Sequence, residues 1–192
     1  MALKPDRTFL ALPSGYRSRE MASFIAQLDD QTKLLAEALD GIGVKELEWQ
    51  PKPGMNTIGM LLAHLAIVEV WWFGGPSRLT TDVDFDGVLG IGGDDDGIPA
   101  LPTGRHPVAL RGKPLAFYLG LLKKSRAFVK REARKITDRE MVKPLQQPRP
   151  DRGVVRHFDR RWIAYHVVEH FCGHHGQILM LRHWARVARR PR

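Results

Sequence analysis

The sequence predicts an all-α fold, a four-helix bundle with a long crossover loop between its second and third helices. Three observations lead there. Four stretches repeat apolar residues at three- and four-residue spacing. Glycines and prolines punctuate the segments between them. No β-type alternation of any length competes with the helical pattern. Helices of this number and connection pack as a bundle.

An irregular lead-in, 1–17, precedes the first helix. From about Ser18 to Leu39, Met21, Phe24, Ile25, Leu28, Leu34, Leu35 and Ala38 recur at helical spacing. Gly41 and Gly43 end it, as glycines past a helix C-terminus do. A turn-rich connector with two prolines follows. The second helix runs from about Thr57 to Phe73, with Asn56 or Thr57 as N-cap and Ile58, Leu61, Leu62, Leu65, Val68 and Trp72 as its stripe. Trp71 and Trp72 read as core or interface anchors.

Residues 75–112 show no sustained period and are rich in Gly, Asp and Pro. A connection of that length in a compact domain is usually functional or mobile. Its segment Asp82, Asp84, Asp86, Gly87 starts like a calcium loop, but the twelfth position is Gly93 rather than a bidentate Glu. An acidic, mobile loop is the preferred reading of 82–96. The third helix spans about Pro114 to Ile136, Pro114 suiting a first-turn position. A second loop, 143–155, leads to the fourth helix, about Arg160 to Ala188, with Ile163, Val167, Ile178, Leu181 and Trp184 on its stripe.

The chain has 192 residues and a hydrophobic fraction of 43%, enough for one domain, 1–192, with one continuous core. No apolar run approaches the ~20 residues that cross a bilayer, and the N-terminus lacks the apolar stretch of a signal peptide. The expected location is the cytoplasm, with no membrane partner. The net charge is +9. The basic tail, 186–192, and Trp184 among Arg182, Arg186, Arg189 and Arg190 could touch phosphates. A solvated helix end is the preferred reading, since cations suit a helix C-terminus, and nucleic acid is the less favoured partner. The single cysteine, Cys172, forms no internal disulfide and reads as a small, semi-buried helix residue.

Chemistry concentrates on the fourth helix, which carries His166, His170, His174, His175 and His183. A step of four residues turns a helix by only about 40° and rises about 6 Å. His166, His170 and His174 therefore share one stripe. Neighbours on it can converge on one ion, as paired histidines do on zinc-binding helices. The outer two lie roughly 12 Å apart, so all three do not. Geometry leaves His166 with His170, or His170 with His174. A further ligand must come from another helix. His64 is the only histidine on the first three, between Leu61 and Leu65 on the apolar side. An imidazole placed there costs free energy unless its nitrogens are satisfied. Three neutral imidazoles suit zinc, nickel or iron(II), and three protein ligands leave a position open for water or substrate.

The segments NTIGMLLAHLAIVEVWW (56–72) and WIAYHVVEHFCGHHGQILMLR (162–182) resemble the two signature regions of the DinB/YfiT-like superfamily. The second carries His170, His174, Gly176 and Gln177 in the family's last-helix pattern. Helix order and the long central connection also fit, so the resemblance covers most of the chain. His175 departs from it, standing where the family often has Arg. The resemblance implies a four-helix bundle and one divalent metal on His64, His170 and His174. It thereby chooses His170 with His174 over the other pair.

Around those ligands, Gln177 shares the face of His170 and His174 and is expected beside the metal or at its open position. His166 is a candidate general base or metal-supporting group, with packing as the alternative. Glu169 and His175 turn about 100° away from the stripe and read as surface or interface residues. His183 lies on roughly the opposite face. Glu69 is off the face of His64, and a helix-surface or dimer-contact role is its default. His106 and His157 fall in loops and receive no role.

Characterised relatives implied by the resemblance include transferases and isomerases that use low-molecular-weight thiols. The reading is a metal-dependent enzyme of the thiol-dependent transferase type, acting on a small-molecule substrate. A metal-dependent hydrolase and a non-catalytic metal-binding stress-response module are the alternatives. The aromatic helices and the resemblance together point to a homodimer.

Overall fold

The computed structural model describes residues 9–149 and 152–189. Its described residues are mostly helical. In chain order come α1 (Arg19–Ala38), α2 (Val44–Leu47), α3 (Ile58–Gly74), α4 (Phe85–Leu89), α5 (Leu115–Ala133), α6 (Asp138–Met141), strands β1 (Leu145–Arg149) and β2 (Val154–Phe158), and α7 (Arg160–Ala188). The long helices are α1, α3, α5 and α7. Helix α3 packs against α5 and α7, and α1 packs against α7 and α5.

Three of the long helices start at side-chain caps. Ser18 Oγ accepts the Met21 amide at 3.1 Å, Thr57 Oγ1 the Met60 amide at 3.1 Å, and Asp159 Oδ1 the Trp162 amide at 2.7 Å. Each satisfies an amide that the helix itself leaves unpaired, worth about 1 kcal/mol. The expected third helix stops short. It ends at Ala133, and the chain restarts as α6 behind Thr137, whose side chain forms a capping box with Glu140.

Helix α3 is the centre of the core. Met60, Leu61, Leu62, Ala63, Leu65, Ala66, Val70 and Phe73 are each 1% exposed or less. Burying a side chain of Leu or Phe size stabilises by roughly 2 kcal/mol. Gly59 lets α5 come close, since a Cβ there would meet Tyr118 Oη at 2.6 Å. Ile58–Arg78 reaches the length and apolar character of a membrane span, contrary to the expectation that no run does. Within that run 83% of the most apolar stretch is buried, as suits a core helix.

Glu69 corrects another expectation. It is not on a helix surface but 1% exposed. Because α3 is covered almost all round, it has no free face for a carboxylate. Glu69 Oε1 instead accepts Arg126 Nη2 at 2.6 Å, and Oε2 accepts Arg126 Nε at 3.2 Å and Ser125 Oγ at 3.1 Å. Arg126 also donates to Asp29 Oδ1 at 3.0 Å and Thr32 Oγ1 at 3.0 Å. Burial works against the guanidinium charge, but Glu69 and then Asp29 outweigh it and hold the pKa above its ordinary value.

The loop expected over 143–155 contains an antiparallel hairpin. Leu145 faces Phe158 and Arg149 faces Val154. β1 is polar but for Leu145 and Pro148, and Val154 and Val155 stand side by side in β2, so no alternating apolar pattern marks the hairpin. The hairpin is anchored from below instead. Phe158 lies edge-on to Trp72 of α3, centroids 6.2 Å apart. Arg156 lies over Trp162 at 4.2 Å and over Trp72 at 5.2 Å.

The connection from α3 to α5 is neither featureless nor wholly exposed. It holds a 3-10 turn at Pro76–Arg78, helix α4 and a second 3-10 turn at Val108–Leu110. Of the calcium-like acidic residues, Asp84 is used locally, capping α4 by accepting the Gly87 amide at 2.7 Å. Leu89, Ile91 and Leu110 are buried. So is Asp96, which carries this segment into the site.

Candidate metal centre

Helix α3 has only two polar side chains with ionisable groups, His64 and Glu69. Glu69 is matched from α5, as above. His64 faces α7, where the four-residue spacing stacks His170 and His174 one turn apart. Ligand nitrogens of His64, His170 and His174 all lie within 4.8 Å of one another. His170 Nε2 is 3.2 Å from His64 Nε2 and 3.0 Å from His174 Nε2. All three residues are partly buried.

The far nitrogens of the outer two rings are bonded away from this cluster. His64 Nδ1 donates to Asp96 Oδ2 at 2.7 Å. Asp96 is 1% exposed, and its other oxygen accepts the Ile98 amide at 3.0 Å. His174 Nδ1 donates to Gln177 Oε1 at 2.8 Å. An oxygen acceptor on Nδ1 puts the ring proton there and leaves Nε2 as a lone pair. Two lone pairs thus point at His170 Nε2, which carries at most one proton. Such an arrangement is short of positive charge at its centre, and a cation with three open sites would satisfy it.

Protonation does not supply that charge. Burial, then the neighbouring His174, His64 and His166, press the His170 pKa down to about 3. Burial also lowers that of His174, against the opposing bond to Gln177. At neutral pH both rings are neutral and able to bind a metal. The donor set, three imidazole nitrogens, fits a zinc-, nickel- or iron(II)-type ion.

The family model of the DinB superfamily matches residues 27–178. The chain belongs to the DinB superfamily. A solved structure, a conserved protein from Enterococcus faecalis, superposes with a TM-score of 0.61 at 14% identity, covering 85% of this chain and 95% of that one. At that identity the likeness shows the fold alone. No curated protein matches the chain in sequence.

In this DinB-like chain, His166 stands outside the cluster. Its ring stacks on Trp162 at 4.7 Å and meets Trp72 edge-on at 5.2 Å, with Nδ1 3.2 Å from Glu169 Oε2. Its centroid is 5.9 Å from that of His170. His175 turns to α1, its Nδ1 3.3 Å from Gln31 Oε1. Cys172 is exposed rather than semi-buried and takes no part in the cluster. Partial desolvation raises its thiol pKa. At the C-terminal end, Arg182 and Arg186 gather on the carboxylate of Glu46, 3.3 and 3.4 Å away; Arg190 lies outside the described residues. His106, given no role from sequence, bonds the capping Thr57 at 2.8 Å and pins the crossover to the start of α3.

Asp96 is the residue that sequence reasoning missed. It belongs to a run of three aspartates, Asp94–Asp96. Nothing in spacing alone distinguishes the one that turns inward.

Proposed function

We propose that this DinB-like protein holds one divalent transition metal on His64, His170 and His174 and works as a thiol-dependent transferase. One observation carries the reading: Asp96 and Gln177 set the ring protons of two histidines so that their lone pairs converge on the third. Three protein ligands leave room for one exogenous ligand. When bound, the ion would lower the pKa of a thiol it contacts and so supply a thiolate at neutral pH.

The chain's own residues do the rest. Asp96 holds the His64 ring through Nδ1 and keeps Nε2 toward the cluster. Gln177 holds His174 by accepting its Nδ1 proton. His170, kept neutral by burial, stays available as a ligand across the physiological range. In this reading the four long helices form a four-helix bundle and act as the rigid frame, two of them carrying the ligands. The protein works as a cytoplasmic homodimer on a small-molecule substrate.

The test is thiol consumption. Protein loaded with zinc, nickel or iron(II) is mixed with a low-molecular-weight thiol and an activated aryl chloride. Acceleration that is lost in His170→Ala supports the transferase. Tight metal binding with no acceleration for any ion or thiol would contradict it and leave a non-catalytic metal module.

A further inference from the structure

A cavity of about 450 Å³ opens beside the histidine cluster, walled by the connector before α3, the crossover and α7. Among the described residues that line it, none is charged, although the chain carries a net charge of +9. Ile98, Pro99, Met180 and Trp184 give it apolar walls, and Asn56 and Gln177 are the polar side chains. Met180 and Trp184 are 45% and 39% exposed, a concentration of apolar surface open to solvent at the mouth.

Two links tie this cavity to the cluster. Gln177 lines it and also accepts the His174 Nδ1 proton. Ile98 lines it and donates its amide to Asp96, the residue that holds His64. Both groups that orient the outer histidines therefore belong to, or are bonded to, the cavity wall.

We infer that this cavity receives an uncharged small molecule with an apolar body, its polar or electrophilic end lying at Gln177. The volume falls in the range of small-molecule sites, and apolar walls with a few polar groups at one end are how such sites orient a ligand. A charged body would be desolvated here without a partner, which is costly. An anionic thiol therefore approaches from elsewhere, and this cavity takes the co-substrate. As a substrate pocket the proposal rests on the transferase reading; as a binding site it stands on its own walls.

The probe is Nile red, uncharged and apolar, titrated into the full chain and followed by fluorescence. Saturable single-site binding is expected in wild type. Met180→Asp should weaken it about tenfold or more by placing a charge in the wall. Leu179→Asp, equally exposed but outside the lining, should leave it unchanged. Absence of saturable binding in wild type, or equal weakening by both variants, would overturn the proposal. Circular dichroism checks that both variants are folded. Metal content of the same samples keeps the two readings apart. Site-specific dye binding in protein that takes up no metal would uphold the cavity and sink the transferase, and metal uptake without dye binding would sink the cavity while leaving the metal site standing.

Discussion

Asp96 accepts a hydrogen bond from His64 across 2.7 Å, joining a buried carboxylate of the crossover to the one histidine of the central helix. The bond fixes the ring proton on Nδ1 and turns Nε2 toward His170 and His174. Asp96→Asn, which can no longer accept as an anion, should weaken zinc affinity by about 10- to 100-fold, the usual cost of losing such a support. Titration against a chelator of known affinity reads this directly, with helicity by circular dichroism as the control. Unchanged affinity would show that Asp96 does not orient the ligand.

The cluster also predicts how the metal-free protein responds to acid. In the unfolded chain His170 takes up its proton near its ordinary value of 6.5; in the folded chain burial and the neighbouring histidines delay this to about 3. Between those values the unfolded state holds more protons, so falling pH favours unfolding. This contribution to stability is complete above about pH 6.5 and is lost progressively toward pH 3. Urea midpoints of the metal-free protein should fall across that window, and more steeply in wild type than in His170→Ala. Equal slopes would contradict it.

The Glu69–Arg126 pair tests the core. Arg126→Met leaves the Glu69 carboxylate buried without its partner and should cost about 3–5 kcal/mol in urea denaturation. Adding Glu69→Leu should recover most of that loss, because no uncompensated charge then remains. Asp29 keeps Lys130, 2.6 Å away. A double variant as unstable as the single one would mean that the pair contributes more than mutual neutralisation.

Much of this was legible in the sequence, for physical reasons. The four long helices announce themselves by apolar period and by caps, and Ser18 and Thr57 stand where the pattern begins. His64 stood out as an imidazole on an apolar face, and the His170–His174 spacing as a helical pair. Helical geometry left His166 as an equal partner of His170, and family resemblance favoured His174. In the structure α3 brings His64 opposite His170 and His174, while Trp72 and Trp162 pack against His166.

What stayed hidden depends on long-range packing. Glu69 looked like a surface residue because its partner lies 57 residues away on α5. The hairpin has no apolar alternation of its own and is held by Trp72 and Trp162 from other elements. Asp96 is one of three adjacent aspartates, and only the path of the crossover selects it.

Everything proposed for this site depends on His64, His170 and His174 holding a metal. Elemental analysis of untagged protein, with His64→Ala and His170→Ala beside wild type, tests it most directly. Near-stoichiometric zinc, nickel or iron is expected in wild type and its loss in both variants. Wild-type protein that carries no metal and takes up none when these ions are added would contradict it.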